Sequence, residues 1–104
     1  MSSRVSIKGK LLGETRFETF DFISQLAAAE TISSASVTAT VYSGVDASPS
    51  GIISGSAAIS GTQVKQLLTG GVLGVTYNIL CAAVTNTGET LDIGGYLTIV
   101  PDTQ

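Results

Sequence analysis

The chain has 104 residues, room for one domain, with 43% apolar residues, 12% charged residues and a formal net charge of −3. It has no His and no Trp, which excludes His-based triads and His-ligated metals; its single Cys excludes an internal disulfide or a zinc cluster. The acidic balance leaves no basic footprint for nucleic acid or an anionic membrane; low charge with adequate apolar content argues against a disordered chain, and a mean hydropathy of +0.41 is high for a free monomer of this length.

The N-terminal third holds most of the charge. Arg4, Lys8, Lys10, Glu14, Arg16, Glu18, Asp21 and Glu30 fall in residues 1–30, whereas residues 31–88 carry only Asp46 and Lys65. Arg4 to Ile7 reads as a short strand or arm. The start has no apolar run long enough for a signal peptide, which predicts synthesis in a reducing cytoplasm. Glu14 to Phe22 mixes helical and strand patterns, and Phe17 breaks the alternation of Phe20 and Phe22. Ile23 to Glu30, with Leu26 and three alanines, predicts a single helical turn.

From residue 31 the pattern has period two. Ala35, Val37, Ala39 and Val41 face one way, with Ser36, Thr38, Thr40 and Tyr42 opposite them. Asp46 to Gly51 contains Ser-Pro-Ser-Gly, a loop by composition. Short apolar pieces follow at Ile52-Ile53 and Ala57 to Ile59, then a strand over Thr62 to Leu68 that Gly70-Gly71 ends. Val75, Tyr77, Ile79, Cys81 and Ala83 form one face of a long strand. Its other face, Leu80, Ala82 and Val84, is also apolar, so this strand is expected to be central. The strictly apolar run Ile79 to Val84 is far below the ~20 residues of a membrane-spanning helix. Asn86-Thr87-Gly88 reads as a hairpin turn. Leu91, Ile93, Leu97 and Ile99 line one face of the last strand, where Gly94-Gly95 predicts a bulge or bend.

Turn signals every 8–12 residues, without a long helical period, predict an all-β immunoglobulin- or fibronectin-like β-sandwich with an N-terminal extension. Leu67, the Gly-rich crossing Gly70-Gly71 and Tyr77 at the opening of a long strand have the order of a tyrosine corner, in which the Tyr hydroxyl bonds backbone upstream. The alternative is an ordinary core Tyr.

Few residues suggest chemistry. Glu14, Glu18 and Asp21 could in principle pair for glycoside hydrolysis, but with Arg16 among them they read as an ion-pair face. Cys81 has no His to activate it and falls on the apolar face of the long strand, the place of a buried structural thiol. The glycines fit no phosphate-binding spacing, and Asp46, Asp92 and Asp102 are not spaced as a calcium loop. Tyr42 and Tyr96, the candidate exposed aromatics for a sugar platform, read rather as cross-strand packing residues. No catalytic residue, cofactor or metal is predicted.

One ordered set of motifs spans residues 10–100. It runs from Gly13-Glu14 through Phe20-Asp21-Phe22, Leu26 and Glu30-Thr31-Ile32-Ser33-Ser34-Ala35 to Ser43-Gly44. It continues with Gly70-Gly71-Val72, Gly74-Val75-Thr76-Tyr77 and Thr85-Asn86-Thr87-Gly88-Glu89-Thr90-Leu91. In this order the chain resembles the fiber–tail adaptor family of small tailed-phage virion proteins. Phe22 stands where the family usually has Trp, Ile23 where it has Ser, and Asp46 to Gly61 has no counterpart. The resemblance implies a non-enzymatic virion protein joining tail or neck to tail fibres. Its partners would be other virion proteins (tail tube or neck, and fibre) and copies of itself in a symmetric assembly, without nucleic acid or membrane. A capsid decoration or cement role, or a receptor- or glycan-binding module, are the alternatives.

On this reading residues 1–30 form a docking arm and residues 31–101 the module. Phe17, Phe20 and Phe22 would be apolar anchors, and Arg16 and Asp21 orienting charges, since aromatic and Arg residues most often dominate interface energy. The competing expectation is that the three Phe complete the core of the module itself.

Overall fold

A computed structural model of the chain describes residues 2–7 and 9–101; Lys8 and Asp102 lie outside these. The strands are β1 (Ser2–Ser6), β2 (Lys10–Leu11), β3 (Arg16–Asp21), β4 (Ile32–Ser43), β5 (Ile53–Ser60), β6 (Gln63–Leu68), β7 (Thr76–Thr85) and β8 (Thr90–Val100). A single 3-10 turn, Pro49–Ile52, precedes β5, and no α-helix occurs among the described residues. The fold is all-β. No helix among these residues is long and apolar enough to cross a membrane.

The strands form two sheets. A five-stranded sheet has the order β1-β8-β7-β4, with β2 also pairing with β8; a three-stranded sheet has the order β3-β6-β5. One apolar core takes residues from both, including Phe20, Val64 and Leu68 from the smaller sheet and Val37, Ile79 and Leu97 from the larger. Alternation decides which side chains enter. On β7, Tyr77, Ile79, Cys81 and Ala83 are buried, while Asn78, Leu80 and Ala82 are half-buried on the other face. β7 lies between β8 and β4, as its two apolar faces predict.

One local expectation holds and two are corrected. The residues from Ile23 to Glu30 form the expected single helical turn, followed by a second turn. Leu26 N–H reaches Phe22 O at 3.1 Å, closing one turn that is not propagated, and Glu30 N–H reaches Ala27 O at 3.0 Å. Gly94 and Gly95 make no bulge. β8 runs in unbroken register along β7, with Gly95 opposite Ile79 and Gly94 opposite Leu80, and β1 pairs the same glycines from the other side. Hydrogen bonding on both edges leaves no unpaired residue to loop out, and bulges belong mostly to sheet edges. The irregularities lie instead in the edge strands, in β5 between Ser54 and Ala58 and near the two ends of β4. The leucine of β6 that enters the core is Leu68. Leu67 is half-buried on the opposite face, because one step along a strand reverses the side chain.

The crossing from β6 to β7 is pinned by Tyr77. Its buried hydroxyl accepts the Val72 N–H at 2.9 Å and donates to the Asp46 carboxylate at 2.7 Å. Burial, and then the bond to Asp46, raise the phenol above its ordinary range, so it stays protonated and able to donate. Tyr77→Phe is expected to lower stability by about 1–2 kcal/mol, because it orphans the Val72 N–H and removes a charge-assisted bond. A shifted denaturant midpoint would show it; an unchanged one would mean that the hydroxyl holds nothing.

The β7–β8 turn is tied back to the start of β4. Thr31 N–H donates to Asn86 Oδ1 at 3.0 Å and Asn86 N–H to Thr31 O at 2.9 Å. Beside them the Glu30 carboxylate accepts Thr87 Oγ1–H at 2.5 Å and Ala27 N–H at 2.9 Å. These bonds, Thr87 first, hold its carboxyl at about 2, well below the ordinary 4.5. A lowered folded value means that the network's stabilisation is fully present above about pH 4.5 and is lost as pH falls toward 2. Thermal melts across that window should therefore show a steeper fall for the parent chain than for Glu30→Gln. Parallel curves would remove Glu30 from the acid response.

Candidate docking surface

The charged N-terminal stretch folds into the molecule. Arg16, at the start of β3, donates from Nη1 to Gly9 O at 3.0 Å and lies 3.4 Å from Glu14 Oε1 and 3.5 Å from Glu18 Oε1. Glu14 Oε1 also accepts the Leu11 N–H at 3.0 Å. Burial raises the Glu18 carboxyl above its ordinary range, an effect that the Arg16 charge partly offsets. Arg16 is thus the hub of an internal ion-pair cluster between β2 and β3. Lys10 on β2 is fully buried and donates from Nζ to Leu11 O and Gly70 O, each at 2.9 Å. A lysine in a charged segment reads as a surface residue; here the ammonium is taken up by the neighbouring Leu11 carbonyl and by the Gly70 carbonyl of a distant loop.

Register explains the three phenylalanines. β3 pairs antiparallel with β6, with Phe17 opposite Leu67, Thr19 opposite Lys65, and Phe20 opposite Val64. Phe20 points inward and is 1% exposed; Phe22, just past the strand, is 0% exposed and donates its N–H to Thr62 O at 2.9 Å. Phe17 has the opposite parity and is 64% exposed. The expectation that Phe20 and Phe22 anchor a partner is therefore corrected: they fill the protein's own core. The boundary at residue 30 is corrected with it, since β1 and β2 extend the larger sheet and β3 belongs to the smaller one.

Phe17, Thr19 and Asp21 remain on the outer face of β3, beside Leu67, Lys65 and Gln63 of β6. Asp21 is held in place. It accepts the Ile23 N–H at 3.0 Å, Thr62 Oγ1–H at 2.9 Å and Gln63 Nε2–H at 3.3 Å, and these bonds, the Ile23 bond first, keep its carboxyl below the ordinary carboxylate range. The face thus presents one exposed aromatic next to a half-buried leucine, with a fixed negative charge at one end and Lys65 in the middle.

The other singled-out residues serve the core and the large sheet. Cys81 is fully buried on β7, and burial, with a smaller contribution from Asp92, pushes its thiol up to about 12. Tyr42 and Tyr96 are exposed on the outside of the larger sheet and stack on one another, ring centres 4.2 Å apart at 35°. Each thus covers one face of the other. Among the described residues no cluster of His, Cys, Asp and Glu side chains is arranged to hold a metal ion.

No curated protein matches the chain. A protein-family model does: the family described as podophage GP4 fiber-tail adaptor protein gp77 matches residues 10–95. That stretch runs from the buried Lys10 through Phe17 to the Gly94-Gly95 pair of β8, nearly the whole of both sheets, and the chain belongs to this phage fiber–tail adaptor family.

Proposed function

We propose that this protein is a non-enzymatic adaptor that joins the tail or neck of a virion to its tail fibres, with the outer face of β3 and β6 as the docking surface. Family membership supports a structural protein of the phage tail that contacts other tail proteins. The observation that carries the finer reading is Phe17, a large aromatic left exposed beside Leu67 while the other two phenylalanines, Phe20 and Phe22, are buried. Exposed apolar anchors next to fixed charges are what interface centres are made of. The framework has an immunoglobulin-like character: β8-β7-β4 and β3-β6-β5 share a core, β1 runs parallel to β8, and Tyr77 ties the crossing between β6 and β7. Several copies arranged by rotational symmetry suit an adaptor that must meet a symmetric tail.

The test is co-sedimentation with the tail and fibre proteins of the same virion. Phe17→Ser is expected to weaken binding to one of them by about thirtyfold, the loss typical of an aromatic hot spot, with the thermal midpoint unchanged. Undiminished binding by the folded variant would overturn this docking surface.

A further inference from the structure

The two sheets meet along β4 and β5, and their packing there is incomplete. β5 loses register with β6 between Ser54 and Ala58. Small residues line this stretch, Ala35 on β4 and Gly55 and Ala57 on β5, and they do not fill the space. A groove of about 240 Å³ remains, its apolar walls formed by Ala35, Val37, Ile53 and Ala57. Ala35 shares the core-facing parity of Val37 and Ala39, yet it stays half-buried, as do Ile53 and Ala57. Interiors are otherwise packed as densely as organic crystals, so these walls lack contacts on one side.

One polar side chain in the lining is only half used by the fold. Gln66, on β6, is 1% exposed. Its Nε2 donates to Ser54 O at 3.0 Å, Gly55 O at 3.2 Å and Leu67 O at 3.0 Å, which fixes the amide with its nitrogen toward these carbonyls. Two of the three belong to the irregular stretch of β5 beside the groove, so the amide head itself lies at the groove. Its Oε1 accepts no hydrogen bond from the described residues. A carbonyl oxygen in so enclosed a place costs free energy while it is unmet, and the groove is where a donor reaches it.

We propose that this groove receives one tryptophan side chain of a partner protein, with the indole N–H donating to Gln66 Oε1. The inference rests on the adaptor reading only in taking the tryptophan from another protein of the virion. Size and hydrogen bonding select the occupant. The groove is smaller than the roughly 300–1,000 Å³ of small-molecule pockets, so it holds one side chain and not a free cofactor. No charged residue lines it, so a lysine or arginine tip would lie there without a counter-charge. A carboxylate would set oxygen against oxygen. An amide tip would bring a carbonyl of its own to be met. Indole has an apolar body and a single N–H that only donates, which matches apolar walls around one open acceptor. Tryptophan is also among the residues that most often anchor an interface.

The chain has no Trp of its own, so indole fluorescence reports an added probe alone. Titrating the full chain into N-acetyl-tryptophanamide is expected to shift the emission to the blue, with a dissociation constant in the millimolar range. The same probe methylated on the indole nitrogen should bind at least about tenfold more weakly, because Gln66 Oε1 is then left unmet. Ala57→Leu, whose longer side chain fills the groove, should abolish the shift. No shift with the parent chain, equal binding of the methylated probe, or an unchanged shift in folded Ala57→Leu overturns the proposal; should Ala57→Leu fail to fold, the methylated probe decides. Co-sedimentation then tests the source of the side chain. Folded Ala57→Leu should lose at least about tenfold in binding to one tail or fibre protein, as for a lost anchor, and binding equal to the parent's overturns the assignment to a partner. A parent chain that binds no tail or fibre protein overturns the adaptor reading, whereas the indole probes succeed or fail without any partner.

Discussion

A chain lacking residues 1–22 is expected to be unfolded, with no strand signal in far-UV circular dichroism and no cooperative melt. The truncation removes β1, β2 and β3, and with them one edge of each sheet. It also removes Phe20 and Phe22, both buried in the shared core, and the Lys10 ammonium that binds the Gly70 carbonyl. Phe20→Ala alone should cost about 3–5 kcal/mol, the usual range for a buried aromatic cut to a methyl. That is a large part of the ~5–15 kcal/mol available to a domain. Phe17→Ala, on the outer face of the same strand, should change stability by no more than about 0.5 kcal/mol. The contrast separates a detachable arm from an integral strand. If the truncated chain still melts cooperatively, residues 1–22 are an arm after all, and the burial of Phe20 contributes less than its environment implies.

The outcome for the phenylalanines was half legible in the sequence. Phe20 and Phe22 share parity and Phe17 does not, so a strand through this stretch must put Phe17 on the opposite face. The mixed pattern of Glu14 to Phe22 hid the strand, and composition drew a boundary at residue 30 because charges usually mark exposed segments. Here three of the charges are consumed internally: Arg16 spans Glu14 and Glu18. The body was easier to read. Strict alternation in Ala35 to Val41 and in Val75 to Ala83 reports burial on one face directly, and both strands form with the expected sides inward.

What local pattern cannot carry is long-range pairing. β1 and β2 lie parallel to β8, nearly the whole chain away, and no short-range signal encodes that neighbour. Gly94-Gly95 misled for the same reason. A glycine pair in an isolated strand suggests a bulge, but a strand bonded on both edges has its register enforced from both sides. The bulge in β5 had its own signal in Gly55, which adopts φ +73° there. The docking face was legible only in part, since Leu67 becomes the companion of Phe17 through the β3–β6 register and not through anything near it in sequence.

Gly71→Ala is expected to destabilise the domain by about 2–4 kcal/mol. Two costs add. Gly71 has φ +99°, a conformation that side chains rarely adopt. A Cβ there would also lie 2.7 Å from Ile99 Cδ1 and 2.8 Å from Ile99 Cγ1. Ile99 is buried in the core, so it can yield only by repacking its neighbours. The loop has little freedom to move away. Lys10 holds the Gly70 carbonyl, Tyr77 holds the Val72 N–H, and Gly74 N–H donates to Ile99 O at 3.0 Å. Gly70→Ala supplies the control: φ is +62° there, but no atom lies within 4 Å of the added carbon. It should cost about 1 kcal/mol from the backbone alone. Denaturant melts of the two variants therefore separate strain from collision. Equal losses would mean that Ile99 moves aside without cost and that the crossing between β6 and β7 is less tightly held than its hydrogen bonds imply.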